Sequence, residues 1–372
     1  MTRIFFVAGE SSGDIHGANL IRALREREPE LVCEGLGGTR MAAEGMTLRY
    51  DLAGRAIMGF VEVLKSLRFI RRLFYETLET IKANPPDCLV LLDYPGFNLE
   101  LAKRVKPLGI PIVYYISPQV WAWKKKRIHT IARLVDKMLV ILPFEEKLYR
   151  DIWVDGVYVG HPLLDQIPRI EVKTLYPGEM VVGLLPGSRE QEIRRILPPM
   201  LASAEVLSKE LPGTRFVIPC VDEARAAQIR ALVGAAPIDV FVGQMYDVLH
   251  SARFCMVASG TATVETALFG VPFVILYRMA PATYAIAKRL VKIEHIGMVN
   301  ILANKRIVPE FIQHEACAER IVPVARELIR DSAARTAMLR ALEQVKQLLG
   351  GPGASMRAAS EIFTVIARRQ HG

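Results

Sequence analysis

An aspartate closes the apolar run in Leu91-Leu92-Asp93-Tyr94-Pro95-Gly96-Phe97-Asn98. A carboxylate at the end of such a run is partly desolvated. Desolvation raises its pKa toward the range in which it can serve as a general base. Pro95-Gly96 makes the following turn tight, which would hold the carboxylate in place; a plain cap of the next turn is the other role open to Asp93. The segment Gly9-Glu10-Ser11-Ser12-Gly13-Asp14 has the form Gly-x-Ser-x-Gly between a strand and a helix. That is the pattern of a nucleophile elbow with Ser11 as nucleophile, so a serine hydrolase is one reading. Against it, the segment follows the first strand of the chain, and no later Asp and His stand out as partners. The second reading is a glycine turn that lets a substrate approach the backbone, with Glu10, Ser12 and Gly13 beside it. A purely structural turn is the third.

Two further turns suit a nucleoside diphosphate. Leu184-Leu185-Pro186-Gly187-Ser188-Arg189 ends an apolar run and opens a helical stretch, which puts Ser188 and the Arg189 cation at a helix N-terminus where phosphates bind. It lacks the spacing and the Lys-Ser/Thr pair of a Walker A loop. Ala258-Ser259-Gly260-Thr261-Ala262-Thr263-Val264-Glu265 repeats the arrangement with hydroxyls and amides. Glu265 lies four residues after Thr261, on the same helix face, where a carboxylate can accept both hydroxyls of a ribose. No Gly-x-Gly-x-x-Gly follows the first strand, which counts against a nicotinamide enzyme. Ser117-Pro118-Gln119-Val120-Trp121-Ala122-Trp123 runs into Lys124-Lys125-Lys126-Arg127. Paired indoles beside four cations suit an anionic, partly apolar ligand, and equally single-stranded nucleic acid.

These turns need strands to present them. Short apolar runs at 4–8, 88–92, 110–116 and 138–142 alternate with helical patterns. After a polar passage at about 165–179 the pattern restarts at 180–185 and continues through 215–219, 238–242, 254–257 and 272–277. Continuous apolar runs are what a parallel sheet buried on both faces requires. Two such series predict two doubly wound α/β domains with a cleft between them. Ligands in such sheets sit beyond the carboxyl ends of the strands, where all these turns fall. After about residue 315 the pattern is helical, interrupted by Gly350-Gly351-Pro352-Gly353.

The 372 residues suit two domains, and 51% apolar with 23% charged residues is globular composition. No uncharged apolar run reaches the ~18–20 residues that span a bilayer, and no cleavable signal pattern opens the chain. Five cysteines without Cys-x-x-Cys spacing and seven histidines without a His-x-x-x-His pair give no metal-site pattern and suit a reducing cytoplasm. The net charge of +9 is local: residues 101–150 alone carry 11 basic and 3 acidic groups. A local basic patch points to an anionic partner. Residues 56–84 add Val61, Leu64, Leu67, Phe69, Ile70, Leu73 and Phe74 beside Lys65, Arg68, Arg71 and Arg72. That is the composition of a helix lying on anionic lipid, or of a core helix with a basic edge.

In order and spacing, the strings VAGESSGD, MGFVEVL, LLDYPGFN, YYISPQVWAWKKKR, LPFE, VGHP, LLPGSR, ASGTATVE, YRM and LAKRLVK resemble the lipid-A-disaccharide synthase family over essentially the whole chain. Family members usually have Ala at Ser11 and Asp at Gly96. The resemblance implies a GT-B fold, two doubly wound Rossmann-like domains facing across a cleft. Residues 1–165 would bind acceptor and membrane, 166–350 the UDP-sugar, and 351–372 would be a helical tail exchanged in a homodimer. It implies inverting transfer of 2,3-diacylglucosamine from UDP-2,3-diacylglucosamine to the 6-hydroxyl of 2,3-diacylglucosamine 1-phosphate. The product is a β-1,6 disaccharide, made without metal or cofactor and with no nucleic-acid partner. Asp93 matches the family's proposed base, Glu10 a carboxylate near the reacting sugars, and Arg189 the arginine at the diphosphate. Ser259, Gly260 and Thr261 match the phosphate turn and Glu265 the ribose contact, while Arg278 and Asn300 line the donor side. The expected location is the cytoplasm, peripherally on the inner membrane's cytoplasmic face. A UDP-N-acetylglucosamine epimerase shares the two-domain plan but lacks this set of motifs.

Overall fold

The computed structural model describes residues 1–54, 60–121, 127–167, 171–290 and 294–370. Met58, Gly59, Trp123, Lys124, Lys125, Lys126, Val291 and Lys292 lie outside the described residues, as do the side chains of Val61, Leu64, Lys65 and Leu67. The chain divides into two units, residues 1–167 with 349–372, and residues 168–348.

In the first unit β1 (Arg3–Ala8), β2 (Val32–Gly37), β3 (Thr47–Asp51), β4 (Cys88–Leu92), β5 (Ile112–Tyr115), β6 (Lys137–Val140) and β7 (Gly156–Tyr158) form a parallel sheet. Its order is β3-β2-β1-β4-β5-β6-β7. Successive side chains of a strand point to opposite faces, and both faces here are covered. Ile4, Phe6 and Ala8 pack with Leu20, Ile21 and Leu24 of the helix Ser11–Arg27. Phe5 and Val7 face the other way, onto Leu101 and Val105 of the helix Pro95–Val105 and Leu78 and Ile81 of the helix Phe60–Ala83.

The helix Ala354–Gln370 belongs to this unit. Its Ala358, Ala359 and Ile362 are fully buried against the first face. Asp165 accepts the amides of Gly353, Ala354 (3.1 Å) and Ser355 (2.8 Å), so a carboxylate caps the helix where its N–H groups have no internal partner. Arg357 ties the same turn to the carbonyls of Val159 (2.7 Å), Pro352 (2.9 Å) and Gly351 (3.1 Å).

In the second unit β8 (Val181–Leu185), β9 (Arg215–Cys220), β10 (Ile238–Val242), β11 (Ala252–Ala258), β12 (Phe273–Tyr277) and β13 (Glu310–Ile312) form a parallel sheet of order β10-β9-β8-β11-β12-β13. Each sheet winds outward from its first strand and then crosses to that strand's other side. The switch points are therefore β1/β4 and β8/β11, where ligands of such sheets bind. No helix among the described residues is long and apolar enough to cross a membrane.

Candidate functional site

Asp93 stands at the carboxyl end of β4, beside the end of β1 in the register Ala8 to Leu92. Asp93 and Tyr94 both have left-handed backbones, φ 45° and 40°. Two consecutive non-glycine residues there are strained, and such strain persists only where the surroundings impose it. The buried Asn98 amide donates to the carbonyls of Leu92 (2.9 Å) and Asp93 (2.8 Å), and the Tyr114 hydroxyl donates to the Asp93 carbonyl as well. The turn is thus locked from behind.

In front of it, the Gly9 amide donates to Asp93 Oδ1 at 3.0 Å. Oδ2 is buried with no hydrogen-bond partner. Burial pushes the Asp93 carboxyl well above the usual carboxylate range, although the Gly9 amide opposes it; the Glu10 charge adds to the rise, and the Glu10 amide opposes it too. The glycines of the first turn make room for this carboxylate. A Cβ on Gly13 would sit 1.9 Å from Asp93 Oδ2, and one on Gly9 would sit 2.5 Å from the Tyr94 ring. At Gly96, by contrast, a Cβ meets nothing within 4 Å, so packing does not demand a glycine there.

The hydrolase reading loses its geometry. Ser11 and Ser12 are exposed on the first turn of the helix Ser11–Arg27, and Ser11 has no left-handed backbone. Among the described residues no histidine is hydrogen-bonded to Ser11. His16 and His161 are buried, which pushes them down to about 4 and about 3. Asp14, also in the motif, accepts the amides of Arg40 (3.1 Å) and Met41 (3.0 Å) and so braces the next loop.

In the second unit Gly187 has φ 103°, and a Cβ there would meet Glu192 Oε2 at 2.6 Å. Ser188 and Arg189 are exposed just before the helix Glu190–Glu210. Glu192 accepts from the Arg189 guanidinium (Nη1, 3.0 Å) and amide (3.4 Å), which directs the cation along the helix start. Beyond β11, Gly260 and Thr261 are exposed at the start of the helix Thr261–Leu268, which no side chain caps. The Ser259 hydroxyl donates to the Ile296 carbonyl (3.0 Å). One turn on, the Tyr246 hydroxyl donates to Glu265 Oε1 (2.8 Å), and its ring stacks on Phe269 at 5.5 Å. Burial raises the Glu265 carboxyl, and the Tyr246 bond works against the rise. Arg278 Nε donates to the Gln313 carbonyl (3.0 Å). Asn300 is fully buried. Its amide nitrogen donates to the Val308 carbonyl and Glu310 (both 2.8 Å), and its oxygen accepts the amides of Ile307 and Val308 (both 2.9 Å). It braces the turn that leads into β13.

The structure therefore brings Asp93, Glu10 and Gly13 together at one switch point. Arg189, Ser188, Ser259, Gly260, Thr261 and Glu265 follow the two strands of the other. Sequence reasoning missed Asn98 and Tyr114 behind the aspartate, and Tyr246 on Glu265. Asn98 lay in plain view within LLDYPGFN; Tyr246 carries no local signal.

Two such parallel-sheet units, each with polar turns at its switch point, make up the GT-B fold. Among solved structures, the glycotransferase of kitacinnamycin is 17% identical with a TM-score of 0.68, over 98% of both chains. A UDP co-structure of S. aureus MnaA is 13% identical with a TM-score of 0.68, over 97% of this chain and 96% of that one. The chain belongs to the lipid-A-disaccharide synthetase family, whose pattern it matches over residues 4–360. A lipid-A-disaccharide synthase of Geobacter sulfurreducens is 41% identical over 376 residues, 99% of this chain and 98% of that protein.

Proposed function

We propose that this chain is a lipid-A-disaccharide synthase that uses Asp93 as its base. It transfers 2,3-diacylglucosamine from UDP to the 6-hydroxyl of 2,3-diacylglucosamine 1-phosphate. The observation that carries the base assignment is Asp93 Oδ2, a buried carboxylate oxygen at the β1/β4 switch point with no partner. Oδ2 takes the proton of the acceptor hydroxyl as that oxygen attacks C1 of the donor sugar. The C1–O bond to UDP breaks, its electron pair leaves with the diphosphate, and the anomeric centre inverts. Negative charge develops on the leaving diphosphate, and preorganised donors and cations stabilise it. Arg189 supplies the cation, and the uncapped amides at Gly260 and Thr261 supply donors at a helix N-terminus. Ser188 and Ser259 border these groups, and Ser12 borders the acceptor side. Glu265, with one oxygen on Tyr246, keeps the other for the ribose, while Arg278 and Asn300 hold the turns of the donor side.

Acceptor-dependent release of UDP from UDP-2,3-diacylglucosamine, with chelator present and a disaccharide product by mass spectrometry, is the expected result. UDP release without acceptor would replace transfer by hydrolysis or elimination.

The substrates carry long acyl chains, so the first unit also docks on anionic lipid in this reading. In the helix Phe60–Ala83, Leu73, Leu78 and Ile81 face the core, while Arg68, Arg71, Arg72 and Tyr75 are exposed. Changing the three arginines to glutamate should weaken binding to phosphatidylglycerol vesicles, read by co-sedimentation, by about a hundredfold or more at low salt, since each basic residue near such a surface contributes about 1 kcal/mol. Unchanged sedimentation would move the lipid face elsewhere.

A further inference from the structure

The loop after β5 is held in a strained form by contacts that the mechanism above does not use. Ile116, a β-branched residue, has φ 66°, in the left-handed region that such residues avoid. From there residues 117–121 lie against the helix Pro143–Arg150. The Ser117 and Tyr149 hydroxyls bond at 2.7 Å, Val120 is buried, and the Trp121 ring meets Phe144 edge-on at 5.4 Å.

The last fastening is Glu145, which is only 1% exposed. Its Oε1 accepts the Trp121 indole N–H at 3.1 Å, and its Oε2 is buried without a partner. Burial raises this carboxyl to about 7, although the Trp121 N–H works against the rise. A buried carboxylate is an expensive way to fix an indole. β5 adjoins β4, so the loop shares the sheet edge that carries Asp93, and Tyr114 at the end of β5 bonds the Asp93 carbonyl.

We propose that Glu145 is a positioning residue for the acceptor: it fixes the Trp121 indole as an aromatic wall of the acceptor-binding edge beside Asp93. The ring offers a flat apolar face of the kind that packs on a sugar ring or the root of an acyl chain. This inference rests on the reading of the first unit as the acceptor side.

The test is initial-rate kinetics with each substrate varied, for the parent, Glu145→Ala, Glu145→Gln and Trp121→Phe. Glu145→Ala and Trp121→Phe should raise the acceptor KM about tenfold and leave the donor KM within about twofold, the pattern of lost binding to one substrate. Glu145→Gln should restore the acceptor KM, because its amide oxygen accepts the same N–H. An unchanged acceptor KM in a folded Glu145→Ala, or both KM values and kcat moving together, would overturn the proposal. If Glu145→Ala does not fold, the acceptor KM of Trp121→Phe decides in its place. A second readout needs no turnover. With Trp123 and Trp153 changed to Phe, titration with 2,3-diacylglucosamine 1-phosphate should shift Trp121 emission, and an unmoved spectrum would overturn the wall. A parent that never releases UDP on addition of acceptor would instead bring down the transferase reading, and the emission titration would still test the loop.

Discussion

Asp93→Asn should lower kcat roughly a thousandfold, the usual scale for removing a general base, while UDP binding stays within about twofold. The groups assigned above to the nucleotide lie in the other unit, and asparagine keeps an oxygen for the Gly9 amide. The parent's kcat should fall on the acid side as Asp93 takes up its proton, at a pH well above that of an ordinary aspartate. Near-parental turnover in Asp93→Asn would remove Asp93 from the base role. The same variant carries a stability signature of opposite sign. The folded carboxyl holds its proton to higher pH than the unfolded one. Its contribution to stability is therefore full below the unfolded pKa of about 3.9 and is lost as pH rises through the folded value. Asparagine carries no charge to bury. The inactive variant should then melt above the parent at pH 7, with the gap narrowing toward pH 4. A lower melting temperature at both pH values would show that desolvation of Asp93 is not what the fold is bearing.

Gly13→Ala is expected to be nearly as damaging without touching a reactive group. The new methyl would lie 1.9 Å from Asp93 Oδ2 and 3.4 Å from the Ala8 Cβ. The carboxylate has little room to retreat, because the Gly9 amide, Asn98 and Tyr114 fix its turn on three sides. Displacement of a catalytic atom by about 1 Å costs on the order of a hundredfold, and overpacking costs about 1–3 kcal/mol of stability. Steady-state kinetics and urea unfolding measure the two losses. Gly96→Ala, where a Cβ meets nothing, is the control and should change neither. Parental kinetics in Gly13→Ala would mean that the Asp93 carboxylate can move aside and still react.

The central strands were readable because burial on both faces forces continuous apolar runs: β1, β4, β5, β6, β8, β9, β11 and β12 fall on such runs, and β10, a half-buried edge strand, was readable from its apolar residues alone. β2 hides a buried charge, Glu34, held by Arg3 (2.8 Å) and Arg49 (2.7 Å). Beside it Gly35 comes so close to Phe6 that a Cβ would lie 2.0 Å from the Phe6 carbonyl oxygen. Those residue types carry no strand pattern, and pairing with β1 and β3 makes them a strand. β3, β7 and β13 are edge strands, two of them three residues long, with too little buried surface to leave a pattern. The site divides in the same way. Asp93, Arg189 and Thr261 were legible because a residue that ends a strand declares its position. Tyr246 on Glu265 and Glu145 on Trp121 were not, because those pairs are 19 and 24 residues apart and meet only through the fold. Asn300 was expected beside the donor; its residue type gave no sign that every polar atom would be spent on its own turn.

The return of the helix Ala354–Gln370 to the first unit also sets an order of events at the ribosome. Residues 168–348 can complete their own sheet and layers while the first unit still lacks one of its covers. Through that interval the face formed by Ile4, Phe6, Leu20 and Leu24 has no Ala358, Ala359 or Ile362 to close it. At about 5–20 residues per second the exposure lasts on the order of ten seconds. An uncovered apolar face on a nascent chain is what chaperones engage and what aggregates when they do not. A message cut just before the Gly350 codon would make that interval permanent. The Asp93 turn, held by residues between Gly9 and Tyr114, thus waits for the helix Ala354–Gln370 before the unit around it is whole.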